Sequence, residues 1–312
     1  MRYIYGPVPS RRMGLSLGVS PIPQKTCNYS CIYCQLGRTT RMTNTRQLFF
    51  PVGDILKELD QVLENKISFD VVTLVGEGEP TLYLGLGELI AGIKERTDKP
   101  VAVITNGALL CDSQVRTELS LADIILPTLD AYDEASFRAI NRPHGSLRFE
   151  QVKEGLIRFS KEYKGKLWVE IMLMDGINDD DASLRKFAQL LSQLHYDRLY
   201  LNTPVRPPAE SDVRPLAPEK MRHAVNVLGG IAIDLLASEG FHSDIRDDYE
   251  AVKSIIKRHP MNQHEIESFL AARGRKDVEQ IFKRLKRDDS VEVITYKGYE
   301  TYRLRPMGQI SH

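Results

Sequence analysis

Short apolar runs punctuate the chain at Leu15-Val19, Val71-Val75, Val101-Thr105, Ile124-Leu126, Leu167-Met172 and Leu199-Asn202. They are rich in Val, Ile and Leu with few polar interruptions, the pattern of strands covered on both faces rather than strands that alternate with solvent. Between them, segments near 53-65, 85-96, 113-120, 147-162, 180-194 and 217-237 carry helical patterning. This alternation predicts repeated βαβ units around a mostly parallel sheet. Six such strands suit an α/β fold, a partial (β/α)6 barrel, with its chemistry placed just after the C-terminal end of each strand.

The pattern shifts near residue 242. Tyr249-His259, Gln263-Leu270 and Lys276-Arg287 read as three short helices, followed by Ser290-Tyr296 and Tyr299-Leu304 as a hairpin across Lys297-Gly298. Three helices and a two-stranded wing describe a small winged-helix-like domain, so the domains are expected at 1-243 and 244-312. No apolar run reaches the roughly 18 residues that span a bilayer, and the Met1-Pro7 start lacks the apolar core of a signal peptide. A cytoplasmic protein is expected.

Composition narrows the class: 312 residues with 42% hydrophobic and 27% charged positions match a folded globular chain and exclude a disordered, collagen-like or coiled-coil whole. The balance of 42 cations and 42 anions conceals basic ends. Arg2, Arg11, Arg12, Lys25, Arg38, Arg41 and Arg46 precede the first acid, Asp54, and residues 251-312 hold 13 Lys or Arg against 8 Asp or Glu. Such stretches would attract an anion: a phosphate, a carboxylate or a nucleic acid.

The four cysteines are too few for a disulfide scaffold, yet Cys27, Cys31 and Cys34 crowd into one loop after the Leu15-Val19 strand. Three thiolates at CxxxCxxC spacing can hold three irons of a cubane and leave the fourth open to a small chelating molecule. A structural zinc site is the rival. It wants four protein ligands, whereas the nearest other thiol is Cys111 and no His lies close to the loop.

The CxxxCxxC loop, with Tyr33 directly before its third cysteine, resembles the signature of the radical S-adenosylmethionine superfamily. The resemblance implies a 4Fe-4S cluster and S-adenosyl-L-methionine as cofactors. It implies that the methionyl group of S-adenosylmethionine chelates the open iron, and that one-electron cleavage gives a 5'-deoxyadenosyl radical that takes hydrogen from a substrate. Gly76-Glu77-Gly78-Glu79-Pro80 is similar to the glycine and glutamate run such proteins use on the methionyl amine, which points to Gly78 and Glu79. Asn106 follows the third strand. Thr128 and Asp130 follow the fourth, where the family places ribose partners. Asn178 after the fifth strand and Arg206 after the sixth complete the expected cofactor-binding set with Tyr33.

Tyr5-Arg12, the Cys34-Gly37 end of the loop, the Gly-Glu-Gly-Glu-Pro-Thr run and Thr203-Pro208 together resemble the subgroup of wyosine-forming tRNA enzymes over about residues 5 to 245. That implies a modified nucleobase or tRNA substrate. The cysteines of a second cluster are missing, since only Cys111 remains, so condensation of pyruvate onto a methylated guanosine is not expected. Two other readings stay open: an activase that installs a glycyl radical, or another enzyme acting on a protein, peptide or metabolite; and a winged-helix redox or S-adenosylmethionine sensor. A low-potential donor of flavodoxin or ferredoxin type is the expected electron partner, with no membrane partner.

Overall fold

The structure, a computed structural model, describes residues 2–233, 241, 243, 245–275, 277–296 and 298–305. The chain opens with an antiparallel pair, β1 (Ile4–Ser10) and β2 (Gly14–Val19). Two short strands, β3 (Thr26–Cys27) and β4 (Arg41–Met42), pair in parallel and clasp the cysteine loop between them. The repeating units then follow: α1 (Val52–Glu64), β5 (Val71–Leu74), α2 (Leu86–Lys94), β6 (Val101–Thr105), α3 (Ser113–Leu119) and β7 (Ile124–Pro127). After β7 come α4 (Glu134–Ile140), α5 (Phe149–Glu162), β8 (Lys166–Met172), α6 (Asp181–Leu191), β9 (Arg198–Asn202), α7 (Pro218–Leu228) and β10 (Ile231–Ala232).

The strands form one eight-stranded sheet in the order β1-β2-β5-β6-β7-β8-β9-β10, parallel from β2 onward. The six expected strands are β2 and β5 to β9. Among the described residues β1 and β10 do not pair, so the sheet is open, as a partial barrel requires. Each helix turns an apolar stripe onto the sheet. In α1 the buried Val52, Ile55, Leu59 and Val62 recur at helical spacing, and they join the main core with Leu17, Leu74, Val103, Ile125, Val169 and Leu201.

One expected element needs correction, and two elements were not predicted. The edge strand β1 holds Gly6, Pro7 and Pro9; at an edge, next to an irregular register between Tyr5 and Val8, prolines are tolerated. The helix expected at 217-237 ends at Leu228. Gly229 adopts φ +74° and closes it, after which Ile231 and Ala232 pair with β9; residues 234–237 lie outside the described residues. The short helix α4 also went unforeseen. Asp133 and Ser136 fix its start by bonding each other's backbone amides.

The C-terminal region has its own core, built from Tyr249, Val252, Ile256, Phe269, Leu270, Leu285 and Tyr302. It contains α8 (Asp248–Ile256), β11 (Met261–Asn262), α9 (Gln263–Ala272), α10 (Glu279–Arg287), β12 (Val291–Tyr296) and β13 (Tyr299–Leu304). The strands form a three-stranded sheet in the order β11-β13-β12, one strand more than the expected hairpin. The expected start of α10 at Lys276 and the turn residue Lys297 lie outside the described residues, as does Asp244 at the expected domain boundary. No helix among the described residues is long and apolar enough to cross a membrane.

One buried carboxylate knits this C-terminal unit together. Asp248 accepts from Arg275 and, at 2.7 Å, from Arg273 Nε, while Arg273 also donates to the carbonyls of Ser243 and Ile245. Arg275 and Arg273 hold the Asp248 carboxyl below its usual range. A depressed carboxylate stabilises the fold above about pH 4 and loses that contribution as pH falls through its folded value. Asp248→Asn is therefore expected to destabilise the unit by about 1–3 kcal/mol at pH 7. The gap between variant and parent should narrow in melts below about pH 4.

Candidate functional site

The three cysteines sit beyond the C-terminal end of β2, on a loop that is anchored at both ends and along its length. Thr43 N donates to the Cys27 carbonyl at 3.1 Å and Arg41 N to the Lys25 carbonyl at 3.0 Å, closing the base. Thr39 Oγ1 donates to the Tyr29 carbonyl at 2.6 Å within the loop. On its far side Ser30 N and Ile32 N donate to the carbonyls of Asn141 and Ile140, both at 3.0 Å, and the Tyr29 ring packs edge-on against Phe137 at 5.3 Å.

Nitrogen donors point at the sulfurs. The Asn106 side chain reaches Cys27 Sγ at 3.6 Å, Tyr29 N reaches the same sulfur at 3.4 Å, and the Asn141 side chain reaches Cys31 Sγ at 3.5 Å. Burial pushes the thiols up: Cys27 well above its usual value, Cys31 to about 12, and Cys34 upward as well. Lys25 is 5% exposed, and its Nζ has no hydrogen-bond partner, although its charge acts on Cys34. An isolated buried ammonium is costly unless a negative group sits beside it. Among the described residues no three His, Cys, Asp or Glu side chains converge on a point that would hold a single metal ion. Free thiols on one loop, N–H donors aimed at sulfur and an orphaned cation together fit a thiolate-bound 4Fe-4S cluster, whose sulfurs accept hydrogen bonds and whose net charge is negative.

The Gly76-Pro80 run lies directly against this loop. A Cβ on Gly78 would stand 1.9 Å from the Thr26 carbonyl oxygen, so only glycine permits the approach. Next to it, Glu79 N donates to that same carbonyl at 3.1 Å. The Glu79 carboxylate, expected to be free for an ammonium, is occupied. Thr81 N, Thr81 Oγ1 and Thr105 Oγ1 donate to Oε1 at 3.0, 2.6 and 2.6 Å, and Asn106 N to Oε2 at 2.8 Å. Burial raises its pKa against the pull of these donors. Glu79 thus ties the end of β6 to the turn after β5. Glu77, buried as well, faces Lys257 and Arg258 of the C-terminal unit at 3.4 and 3.5 Å.

Asp130 gathers most of the remaining expected residues. Its carboxylate accepts from Tyr33 Oη, from the Asn141 side chain at 3.3 Å and from Met172 N at 2.9 Å. Burial raises its pKa, and these donors hold the rise in check. Thr128 is half-buried beside it. Tyr33, Asn106, Thr128 and Asp130 therefore form one polar shelf along the cysteine loop.

Two expected ligands lie elsewhere. Asn178 is fully buried, accepts from Met174 N at 2.8 Å and donates to the carbonyls of Met172 and Asp130 at 2.9 and 3.2 Å; it staples the loop after β8 and presents no free group. Arg206 donates to both oxygens of Glu265 at 3.1 Å and to the Pro260 carbonyl, so its charge holds the C-terminal unit rather than a cofactor. Sequence reasoning missed Lys25, Asn28 and Asn141. Lys25 and Asn28 flank Cys27 and were legible as polar neighbours of the motif; Asn141 ends α4 and had no signal.

Beside Tyr33 and Cys34 opens a cavity of about 380 Å³ inside the sheet. Its wall includes Arg12 and Glu170, which pair, along with Arg11, Thr73, Met172 and Asn202 from the barrel and Arg258, His259 and Glu265 from the C-terminal unit. The basic N-terminal stretch is largely absorbed by the fold. Arg38 pairs with Glu210, Arg46 with Glu118 and Arg12 with Glu170, while Lys25 is buried.

A family model described as the Radical SAM superfamily matches residues 22–188, which span the cysteine loop, Glu79, Asp130 and Asn178. A UPF0026 protein of Methanocaldococcus jannaschii is 36% identical over 281 residues, 86% of this chain and 86% of its own length. A UPF0026 protein of Synechocystis is 43% identical over 205 residues, 65% of this chain and 76% of that one. Among solved structures, a radical SAM methyltransferase from Sphaerobacter thermophilus superposes with a TM-score of 0.52 at 18% identity, over 70% of this chain and 67% of that chain, a likeness of fold.

Because the thiols are held protonated, iron binding must displace their protons, and loading should strengthen as pH rises. Anaerobic reconstitution should give more cluster per chain at about pH 8.5 than at about pH 6.5, read by iron content and visible absorption. Lys25→Met should shift the cluster's reduction potential downward by tens of millivolts, on the order expected when a nearby positive charge is removed. A redox titration followed by electron paramagnetic resonance measures the shift, and an unchanged potential would show that Lys25 does not serve the cluster.

Proposed function

Because this chain belongs to the radical SAM superfamily, we propose that it cleaves S-adenosylmethionine reductively and abstracts hydrogen from a substrate seated in the cavity beside Cys34. Its cofactors are a 4Fe-4S cluster and S-adenosylmethionine. When bound, they supply one-electron cleavage of a sulfonium C–S bond: one electron from a low-potential donor of flavodoxin or ferredoxin type, with one hydrogen atom from the substrate, yields methionine, 5'-deoxyadenosine and a substrate radical.

The single observation that carries this reading is three buried thiols on one anchored loop, with N–H donors aimed at two of them and a partnerless ammonium beside the third. Cys27, Cys31 and Cys34 are the cluster ligands in this reading, and Lys25 offsets their charge. The shelf of Tyr33, Asn106, Thr128 and Asp130 supplies polar partners for S-adenosylmethionine, with Gly78 and Glu79 holding the loop in place. Asn178 and Arg206 act one layer behind, fixing the walls. Enclosure by the sheet and the C-terminal unit keeps water from a reactive radical.

The order of α8, β11, α9, α10, β12 and β13 supports a winged-helix-like reading of the C-terminal unit, and its separate core supports a boundary near residue 243. The likeness to wyosine-forming enzymes rests on sequence runs alone. A tRNA substrate would need an exposed basic surface, whereas the N-terminal cations are mostly paired or buried. A substrate small enough for the cavity agrees better with the fold. The free cysteines suit a reducing, cytoplasmic setting.

Oxygen-free reconstituted protein given dithionite should convert S-adenosylmethionine to 5'-deoxyadenosine and methionine, quantified by liquid chromatography. Cys31→Ala should lower this turnover at least about 100-fold, since loss of one ligand removes the cluster, while the melting curves of the cluster-free parent and variant coincide because the loop's fold rests on backbone bonds. Undiminished 5'-deoxyadenosine from the variant would falsify the assignment.

A further inference from the structure

We infer that the substrate is a small anion, bearing a carboxylate or a phosphate, gripped inside the sheet by Arg11 together with Arg12, and that the C-terminal unit is the wall that completes this chamber. The inference rests on the reading that the cavity beside Cys34 is where the reaction occurs.

Four arginines border the cavity: Arg11, Arg12, Arg206 and Arg258. Three have carboxylates of their own. Arg12 pairs with Glu170, Arg206 with Glu265, and Arg258 with Glu77. Arg11 makes no ion pair among the described residues, so the wall keeps one cation uncompensated beside the cavity. Arg12, its neighbour in the turn between β1 and β2, has a buried Nε with no hydrogen-bond partner. Arg11, free of an acid among the described residues, and the unsatisfied Arg12 Nε both lie on the cavity wall and offer N–H donors suited to a carboxylate or phosphate. His259 shows that the charges converge, for burial together with Arg206, Arg11 and Arg12 keeps its ring well below the usual histidine range.

Closure of the chamber comes from both edges of the open sheet. At the β1 edge, Arg258 donates to the Arg2 carbonyl at 2.9 Å and lies over the Tyr5 ring at 4.7 Å. At the other, Tyr296 Oη donates to the Pro204 carbonyl at 2.7 Å, beside the Arg206–Glu265 pair. The C-terminal unit therefore reaches from β1 to the loop after β9 across the open side of the sheet. A cavity of about 380 Å³ has room for a metabolite-sized molecule.

The test is calorimetric titration of the oxygen-free holoprotein with inorganic phosphate, with malonate and with a synthetic RNA hairpin at about 150 mM salt, where non-specific attraction to polyanions is largely screened. Phosphate, malonate or both should bind; the tighter of the two identifies the anion class. Arg11→Gln should weaken that binding about tenfold or more, and Arg11→Lys should restore part of it. A melting temperature for Arg11→Gln within a few degrees of the parent confirms that the turn still folds. The inference is overturned if neither small anion binds, if Arg11→Gln binds it as tightly as the parent, or if the hairpin binds more tightly than either in an Arg11-dependent way. Methionine release by the parent, which reports C–S cleavage whatever the hydrogen source, is followed in parallel with and without the anion: its presence with no anion binding sinks this inference alone, and its absence under both conditions with Arg11-dependent binding sinks the reaction assignment alone.

Discussion

The structure hangs on one close backbone approach, that of Gly78 to the Thr26 carbonyl. That contact lays the turn after β5 flat on the cysteine loop, and Glu79, the next residue, converts proximity into fixed geometry by accepting four hydrogen bonds that reach as far as Asn106. Asn106 in turn donates to Cys27 Sγ and to Asn28. A side chain at position 78 would push the turn off the loop and unthread this chain of contacts, so the thiols, the shelf beside them and the end of β6 share one steric condition. The buried carboxylate is stable there because every oxygen has donors.

Electrostatics arranges the rest. A chain with no net charge has placed an ammonium among its thiols and an excess of guanidinium groups around its cavity, and has paired Arg12, Arg38 and Arg46 with acids far away in sequence. Buried charges persist where a partner offsets the desolvation cost. Among the described residues neither the buried Lys25 nor the half-buried Arg11 on the cavity wall makes an ion pair, and the proposed function sets an external negative group beside each: the cluster at the first and the anionic part of a substrate at the second.

The open sheet makes the C-terminal unit part of the site. A closed barrel would shield its lumen without help, but here the sheet is open, and the turn after α8, α9 and β12 reach β1 and the loop after β9 through Arg258, Glu265 and Tyr296. Glu77 carries the link onward, since its carboxylate lies between the loop-bearing turn and Lys257 and Arg258. A unit that reads in isolation as a separate nucleic-acid module is thereby joined to the chemistry by buried ion pairs.

From the residues alone came the parallel sheet, because strands buried on both faces are uniformly apolar, and the cysteine loop, because its three thiols lie within eight positions and their spacing is a local property. The shelf of Tyr33, Asn106, Thr128 and Asp130 was legible for a related reason: parallel strands bring the residues after their C-terminal ends to one rim. What packing alone decided were the partners of charged and polar groups. Nothing near Arg206 in sequence announces Glu265, nothing near Glu79 announces Thr105, and nothing in the order of the chain shows that Asn178 faces inward under Asp130. Desolvation demands that a buried polar group find a partner, but any of many distant residues satisfies that demand, and only the packed chain selects among them.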